Sequence, residues 1–191
     1  TGDESLLDQA EKRCHRSLHP VNRLDRPVSG IALFAKTKAV MTMLTEQFRD
    51  RSVEKVYLAV VQNEPPQESG TLVHFLQKNQ VKNITTAHTE EQPGSERAEL
   101  AYKLIGKSDR YFLLEINPVT GKHHQIRAQL SAIGCPIKGD VKYGARRGNQ
   151  DRSIHLHSWK LSFEHPLSGE RLSLEAPVPE DVVWKALMPG Q

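Results

Sequence analysis

The sequence predicts an α+β fold, on three observations. Residues 3–16 and 37–49 place their apolar side chains at helical spacing. The run Glu54-Lys-Val-Tyr-Leu-Ala-Val-Val61 has the β-branched and aromatic content of a buried strand. Near the C-terminal end, Ile154–Phe163 and Arg171–Ala176 flank the turn Pro166-Leu-Ser-Gly169, which is the pattern of a β-hairpin. A chain of 191 residues is long enough for one sizeable core and is read as one domain.

Taken in order, residues 3–16 form a helix capped by Asp3, with Leu6, Leu7, Ala10 and Cys14 near one face. A polar loop through Asp25 leads to a strand from about Ser29 to Lys36. Thr37 is a suitable N-cap for a second helix reaching about Arg49, with Val40, Met43, Leu44 and Phe48 on its apolar stripe. After Glu54–Val61, the segment Asn63-Glu-Pro-Pro-Gln-Glu-Ser-Gly70 reads as a loop. Residues 71–107 read as several short strands, with a turn at Gln92-Pro-Gly-Ser95. Tyr111–Ile116 is a further strand. Ile126, Leu130 and Ile133 then mark a helix that opens at Thr120-Gly-Lys and closes at Gly134, a good residue for the left-handed position after a helix. A glycine-rich basic loop over residues 135–144 follows. Past the hairpin, Pro179-Glu-Asp181 opens a short terminal helix with Val182, Val183 and Leu187 turned inward.

Composition narrows the function classes. No apolar run approaches the ~20 residues of a membrane span. No basic segment followed by an apolar one stands at the N-terminal end, so no secretory leader is expected. The two cysteines, Cys14 and Cys135, are far apart and form no C-x-x-C unit, which argues against a zinc ribbon or a disulfide scaffold and fits a reducing, cytoplasmic compartment. Lysine and arginine number 26 against 23 acidic residues, a net charge of only +3, so distribution matters more than the total. Between 122 and 152 seven basic residues face only Asp140 and Asp151. That stretch, with Lys142, Arg146 and Arg147, is a candidate phosphate-binding surface.

Two stretches carry chemistry. The first is Asn22-Arg23-Leu24-Asp25-Arg26-Pro27-Val28-Ser29-Gly30, in which one carboxylate lies between two guanidiniums on a loop stiffened by Pro27 and turned by Gly30. Nearby positive charge favours the ionised carboxylate and keeps it a competent nucleophile at neutral pH. Alone, the tetrapeptide would be an ordinary surface ion pair. The second is Thr120-Gly-Lys122-His123-His124-Gln125-Ile126-Arg127, a turn into a helix whose first N–H groups and dipole favour anions. Arg127 lies near enough to that end to reach a group at its mouth. His155 and His157 alternate on one strand and, with His123 and His124, raise the question of a metal. No carboxylate or cysteine completes a familiar ligand spacing, so no metal is expected.

In order along the chain stand Arg23-Leu-Asp25-Arg26-x-x-Ser29-Gly30, Lys55-Val-Tyr57-Leu-Ala59, and Thr120-Gly-Lys122-x-His124-Gln125-Ile-Arg127, followed by Leu156-His157 and His165-Pro166. Together they resemble the RluA-type pseudouridine synthases over residues 19–176. The resemblance implies a mixed, mostly antiparallel central sheet with flanking helices and an RNA-binding cleft. It implies isomerisation of uridine to pseudouridine in a ribosomal or transfer RNA stem-loop, by a monomer using neither metal nor organic cofactor. Asp25 would be the catalytic aspartate. Tyr57 would stack on the uracil and serve in proton removal from C5, and Arg127 would pair with Asp25. Arg23 would help hold the target nucleotide out of the stack. Arg26, Lys122, His124, Gln125, Lys142, Arg146 and Arg147 complete the expected RNA contacts.

These residue types suit the reaction. Exchange of an N-glycosidic for a C-glycosidic bond calls for an ionised carboxylate. An aromatic platform keeps the base bound while it turns, and the base must first leave the helical stack. The chain departs from the family at Asn22 (usually His), Val28 (Thr), Lys122 (Arg) and Gln129 (His), which bears on substrate choice. The strand and Asn-Lys-Pro segment that usually open the catalytic domain are missing, as is an S4-type RNA-binding domain. The chain is accordingly expected to be a fragment, or one numbered without its first residues. Two other readings stay open: a non-catalytic RNA-binding module that keeps the fold, and a carboxylate-dependent hydrolase, for which no second positioned carboxylate can be named.

Overall fold

The computed structural model describes residues 4–188. Among them, seven strands hydrogen-bond in the spatial order β10-β9-β4-β8-β7-β5-β6, and β2 adds to β9 off that path. The elements are β2 (Ser29–Gly30), β4 (Glu54–Val61), β5 (Ser69–Asn79), β6 (Ile84–His88), β7 (Glu96–Lys107), β8 (Phe112–Pro118), β9 (Leu156–Glu164) and β10 (Arg171–Glu175). Every pairing is antiparallel except β2 with β9, so the sheet is mixed and mostly antiparallel as expected. A separate two-stranded ribbon joins β1 (His19–Pro20) to β3 (Phe34–Ala35). The helices are α1 (Leu6–Cys14), α2 (Lys38–Arg49), α3 (Gln125–Ala132) and α4 (Val182–Leu187). None is long and apolar enough to cross a membrane.

The interior strand β4 has different neighbours on its two faces. Ala59 and Val61 pack with Ile126 and Leu130 of α3, whereas Leu58 and Val60 pack with Trp184 and Leu187 of α4. A one-residue register slip between Val56 and Tyr57 brings Leu161 and Phe163 of β9 onto the α3 side. There they meet Leu44 of α2 together with Val21, Ile31 and Leu33. α2 and α3 thus flank one face, and the loop with Asp25 lies between them.

Several expectations are corrected. The strand proposed over 29–36 is broken into β2 and β3, because the first half joins β9 and the second pairs with β1. Residues 71–107 are not several short strands; they hold the long strands β5 and β7, of 11 and 12 residues, with β6 between them. Long cross-strand pairing stabilises these segments although their own alternation is weak. The first helix is capped by Ser5, whose side chain accepts from Asp8 N–H while Asp8 returns a bond to Ser5 N–H; Asp3 lies outside the described residues. On α2, Thr37 caps as expected, but Met41 packs into the core and Met43 is exposed. On α4, Val182 is exposed and Trp184 fills the inward position beside Leu187.

Candidate active site

The loop that carries Asp25 is fixed at both ends by its own sequence. Asn22 bridges it internally, its side chain accepting from Leu33 N–H at 2.6 Å and donating to Ile31 C=O at 3.4 Å. A turn closes from Val28 N–H to Asp25 C=O at 2.8 Å. Gly30 then runs beside β9 with φ of 109°, where an added Cβ would stand 2.2 Å from Ser158 O, so only glycine fits. Ser29 Oγ meets His157 Nδ1 at 2.8 Å, and His157 Nε2 meets Ala176 C=O at 3.2 Å. A carbonyl only accepts, so Nε2 carries the proton and Nδ1 accepts from Ser29. Burial lowers the His157 pKa, which keeps this tautomer neutral. Pro-x-Ser-Gly therefore ties the Asp25 loop to the sheet.

The second wall is the start of α3. Gln125, 4% exposed, holds the Thr120-Gly-Lys122 turn: it accepts from Thr120 Oγ at 2.8 Å and Lys122 N–H at 3.0 Å, and donates to Glu99 C=O at 3.0 Å. His124 adopts left-handed backbone at the helix start. Arg127 projects from the first turn and is only 5% exposed, whereas the Asp25 side chain is 30% exposed and reachable.

Arg127 binds two carboxylates. Its Nε and Nη2 donate to Asp140 at 2.7 and 2.9 Å as a fork, and Nη1 donates to Asp25 Oδ2 at 3.1 Å. Asp140 is 1% exposed, and the Tyr143 ring covers the guanidinium at 4.7 Å. Burial works against the charge on Arg127, but the bonds and charge of Asp140, then those of Asp25, outweigh it and raise its pKa. The cation that meets Asp25 is thus a residue 102 positions away, not the flanking Arg23.

His124 is the other neighbour of Asp25, with Nε2 at 3.6 Å from Oδ2. Its Nδ1 lies 2.7 Å from the Tyr143 hydroxyl, which itself accepts from Thr85 N–H at 2.9 Å. With Tyr143 donating to Nδ1, the Nε2 proton points toward the carboxylate. Burial, only partly offset by Asp25, lowers the His124 pKa to about 4, so the ring is neutral at pH 7. His123 stacks on it at 3.7 Å and reaches Thr85 Oγ at 2.8 Å.

The floor comes from β4. Tyr57 lines a cleft of about 350 Å³ together with Asp25, Arg23, Lys122, His124 and Arg127. Burial pushes its phenol pKa up, against a smaller opposing effect of Ser158 and with the added repulsion of Asp25. Lys55, two residues earlier, lines the same cleft; burial and then Arg51 lower its pKa. No ion pair to a described carboxylate offsets that burial.

Not every expected contact converges here. Arg23 lines the cleft, and Lys122 does so while paired with Glu96. Lys142 lies close enough to His123 and His124 to oppose their protonation. Arg146 and Arg147 instead line a different cleft, at the far end of β4 and β8. Arg26 is exposed and does not line the Asp25 cleft. His155 pairs with Asp181 at 3.0 Å and His157 with Ser29, so neither joins the α3 histidines. Among the described residues no three metal-ligating side chains cluster. Sequence reading missed Asp140 and Lys55; a lone aspartate in a glycine-rich basic loop and a lysine beginning a strand are weak signals without the fold.

A carboxylate held by a buried arginine thus faces an open cleft with a tyrosine in its lining, on a mixed sheet. The comparisons define it further. Residues 4–132 match the family model described as RNA pseudouridylate synthase, and the chain belongs to that family. It is 33% identical over 170 residues to ribosomal large subunit pseudouridine synthase C of Vibrio parahaemolyticus, covering 85% of this chain and 52% of that protein. It is 31% identical to tRNA pseudouridine synthase C of Haemophilus influenzae, covering 97% and 82%. The fold matches human RNA pseudouridylate synthase domain containing 1 with a TM-score of 0.78 at 24% identity, over 92% of this chain and 74% of that one. The chain spans about half the length of the ribosomal relatives it matches.

Proposed function

We propose that this chain converts uridine to pseudouridine in a stem-loop of ribosomal or transfer RNA, with Asp25 as the catalytic carboxylate. The observation that carries this reading is the Asp140–Arg127–Asp25 chain of charge-assisted hydrogen bonds, which presents one partly exposed carboxylate to an aromatic-floored cleft. A protein that only bound RNA would have no use for a carboxylate set toward a polyanion. Family membership and the relatives' names support the same activity.

In this reading the uridine leaves the stack and its base lies on Tyr57. Arg127 pairs with Asp25 and aims it, so that its oxygen attacks the nucleotide or stabilises the charge that forms as the glycosidic bond breaks. The freed uracil stays on the platform, turns, and rejoins the sugar through C5. The raised phenol pKa gives Tyr57 a neutral hydroxyl, which serves as a relay for the C5 proton rather than as a phenolate base. Neutral His124 adds a polar N–H beside Asp25 without neutralising it. Arg23, at the exposed rim, fills the space the base leaves, and Arg26 and Lys142 add charge for the RNA backbone. Gln125, with both ends of its amide engaged, positions the turn. The reaction is an isomerisation with no net change in oxidation level, so it calls for no redox cofactor. We take the protein to act as a monomer on cytoplasmic RNA.

The test is release of tritium from C5-labelled uridine in ribosomal and transfer RNA stem-loops. Release lost in Asp25→Asn, with RNA binding retained, supports the reading. A folded wild-type protein that binds both RNAs and releases none refutes it in favour of a binding module.

A further inference from the structure

A second cleft, wider than the one at Asp25, lies elsewhere on the sheet. About 630 Å³ of open space lies at the other end of β4 and β8, reached by moving from Tyr57 to Gln62, about 17 Å at the rise of a strand. Arg110, Lys138, Arg146 and Arg147 line it against one acidic residue, Asp109. Several surface cations elsewhere are paired with carboxylates, among them Arg97 with Glu99, Lys107 with Glu64, Arg171 with Glu54 and Lys160 with Glu175. The four cations of this cleft make no ion pair among the described residues. Asp151 and Asp181 lie within the field of Lys138 without bonding to it. Four unmatched cations in one concavity repel one another, and an anionic ligand relieves that repulsion.

Their positions are set by backbone. Lys138 N–H donates to Val60 C=O at 2.8 Å and its C=O accepts from His155 N–H at 2.9 Å, which pins it to the end of the sheet. Its ammonium donates to Asn149 Oδ1 at 2.9 Å, and Asn149 Nδ2 donates to Ser153 C=O. Arg146 N–H donates to Gln62 Oε1 at 3.1 Å. The four cations, from separate segments at 110, 138 and 146–147, line one open cleft of about 630 Å³ as a basic track. A cleft of that size has room for more than one phosphate of a strand. The loop that carries Arg146 and Arg147 also carries Asp140, the residue clamping Arg127, and passes Tyr143 along α3 on the way. A ligand on the track therefore bears on the same segment that shapes the active site.

We infer that this second cleft binds the phosphate backbone of the RNA arm flanking the target loop. This rests on the reading that the substrate is RNA, and goes beyond it in assigning Arg110, Lys138 and Asn149 to a site remote from the reacting base.

The experiment compares wild type with the Arg110→Glu/Arg147→Glu variant and, as a milder change, Arg110→Ala/Arg147→Ala. Both residues are exposed, and thermal unfolding of each variant verifies the fold. Affinity is measured by fluorescence anisotropy for a long-armed stem-loop and for a five-nucleotide strand around the target, across salt concentration. Loss of at least about tenfold in stem-loop affinity, with a salt slope shallower by roughly one to two, is expected. The loss on the short strand should be at least tenfold smaller. Equal losses on both RNAs, or none on either, overturn the inference. So does tight binding of inorganic phosphate that the variant abolishes while stem-loop affinity is kept, since that describes a small-anion site. Binding is read apart from tritium release, so a wild type that binds the stem-loop through this cleft and releases nothing would fail the catalytic reading alone.

Discussion

Asp140 contacts no substrate in this reading, yet its replacement should be among the most damaging single changes in the protein. Asp140→Ala removes both arms of the fork to Arg127 and leaves a guanidinium 5% exposed with one remaining partner, Asp25. Breaking a buried ion pair from one side costs about 3–5 kcal/mol, chiefly for the charge left behind. Because Asp25 still accepts one bond, the low end applies, about 3 kcal/mol. For a chain of this size each kcal/mol lowers Tm by about 2–4 °C, so a fall of about 6–12 °C is expected. Turnover measured well below that Tm should drop by about a hundredfold, since a displacement of roughly 1 Å at Arg127 re-aims Asp25. Asp140→Asn keeps the shape and one acceptor, and should fall between wild type and alanine. The decisive measurement is a double-mutant cycle in thermal unfolding with Arg127→Met, which removes the orphaned charge. The double variant should be less destabilised than the sum of the two single ones. Simple additivity, or a Tm change under about 2 °C for Asp140→Ala, would show that the fork does not hold Arg127.

Asp25→Asn should retain the fold and most RNA affinity while turnover falls by at least about a thousandfold in the tritium-release assay; a residual rate above a few per cent would refute its role. Tyr57→Phe keeps the stacking ring, so binding by anisotropy should survive while kcat falls, whereas Tyr57→Ala should weaken both. Gly30→Ala should destabilise the protein by about 2–3 kcal/mol in urea unfolding, because the new Cβ meets the Ser158 carbonyl at 2.2 Å in left-handed backbone. Stability should also fall on acidification. His74, His123, His124, His155 and His157 all have pKa values lowered in the folded state, chiefly by burial. The unfolded chain therefore takes up protons below about pH 6.5 that the folded one refuses, down to about 4 for His124. Their contribution is complete above pH 6.5 and declines as pH falls through that window. Urea midpoints unchanged between pH 7 and 5 would contradict it.

The order of motifs along the chain determined the family, because each carries its chemistry within a few residues. Asp25 with its Pro-x-Ser-Gly turn, Thr37 as a helix cap, the apolar run Glu54–Val61 and the C-terminal hairpin are all local signals, and local energetics are written in sequence. Tertiary structure decided what depends on distance in space. Residues 71–107 have little alternation, and only pairing with each other and with β6 and β8 makes β5 and β7 long strands. Asp25 lies between two arginines in sequence, but the guanidinium that pairs with it comes from α3, 102 residues on, held there by Asp140. Lys142, Arg146 and Arg147 read as one basic stretch, yet the fold divides them between two ends of the sheet. Side-chain type and local spacing suffice to nominate Asp25, Tyr57 and Arg127 as the groups proposed to carry the chemistry. Which group meets which follows from long-range closure of the sheet, and no local interaction encodes that.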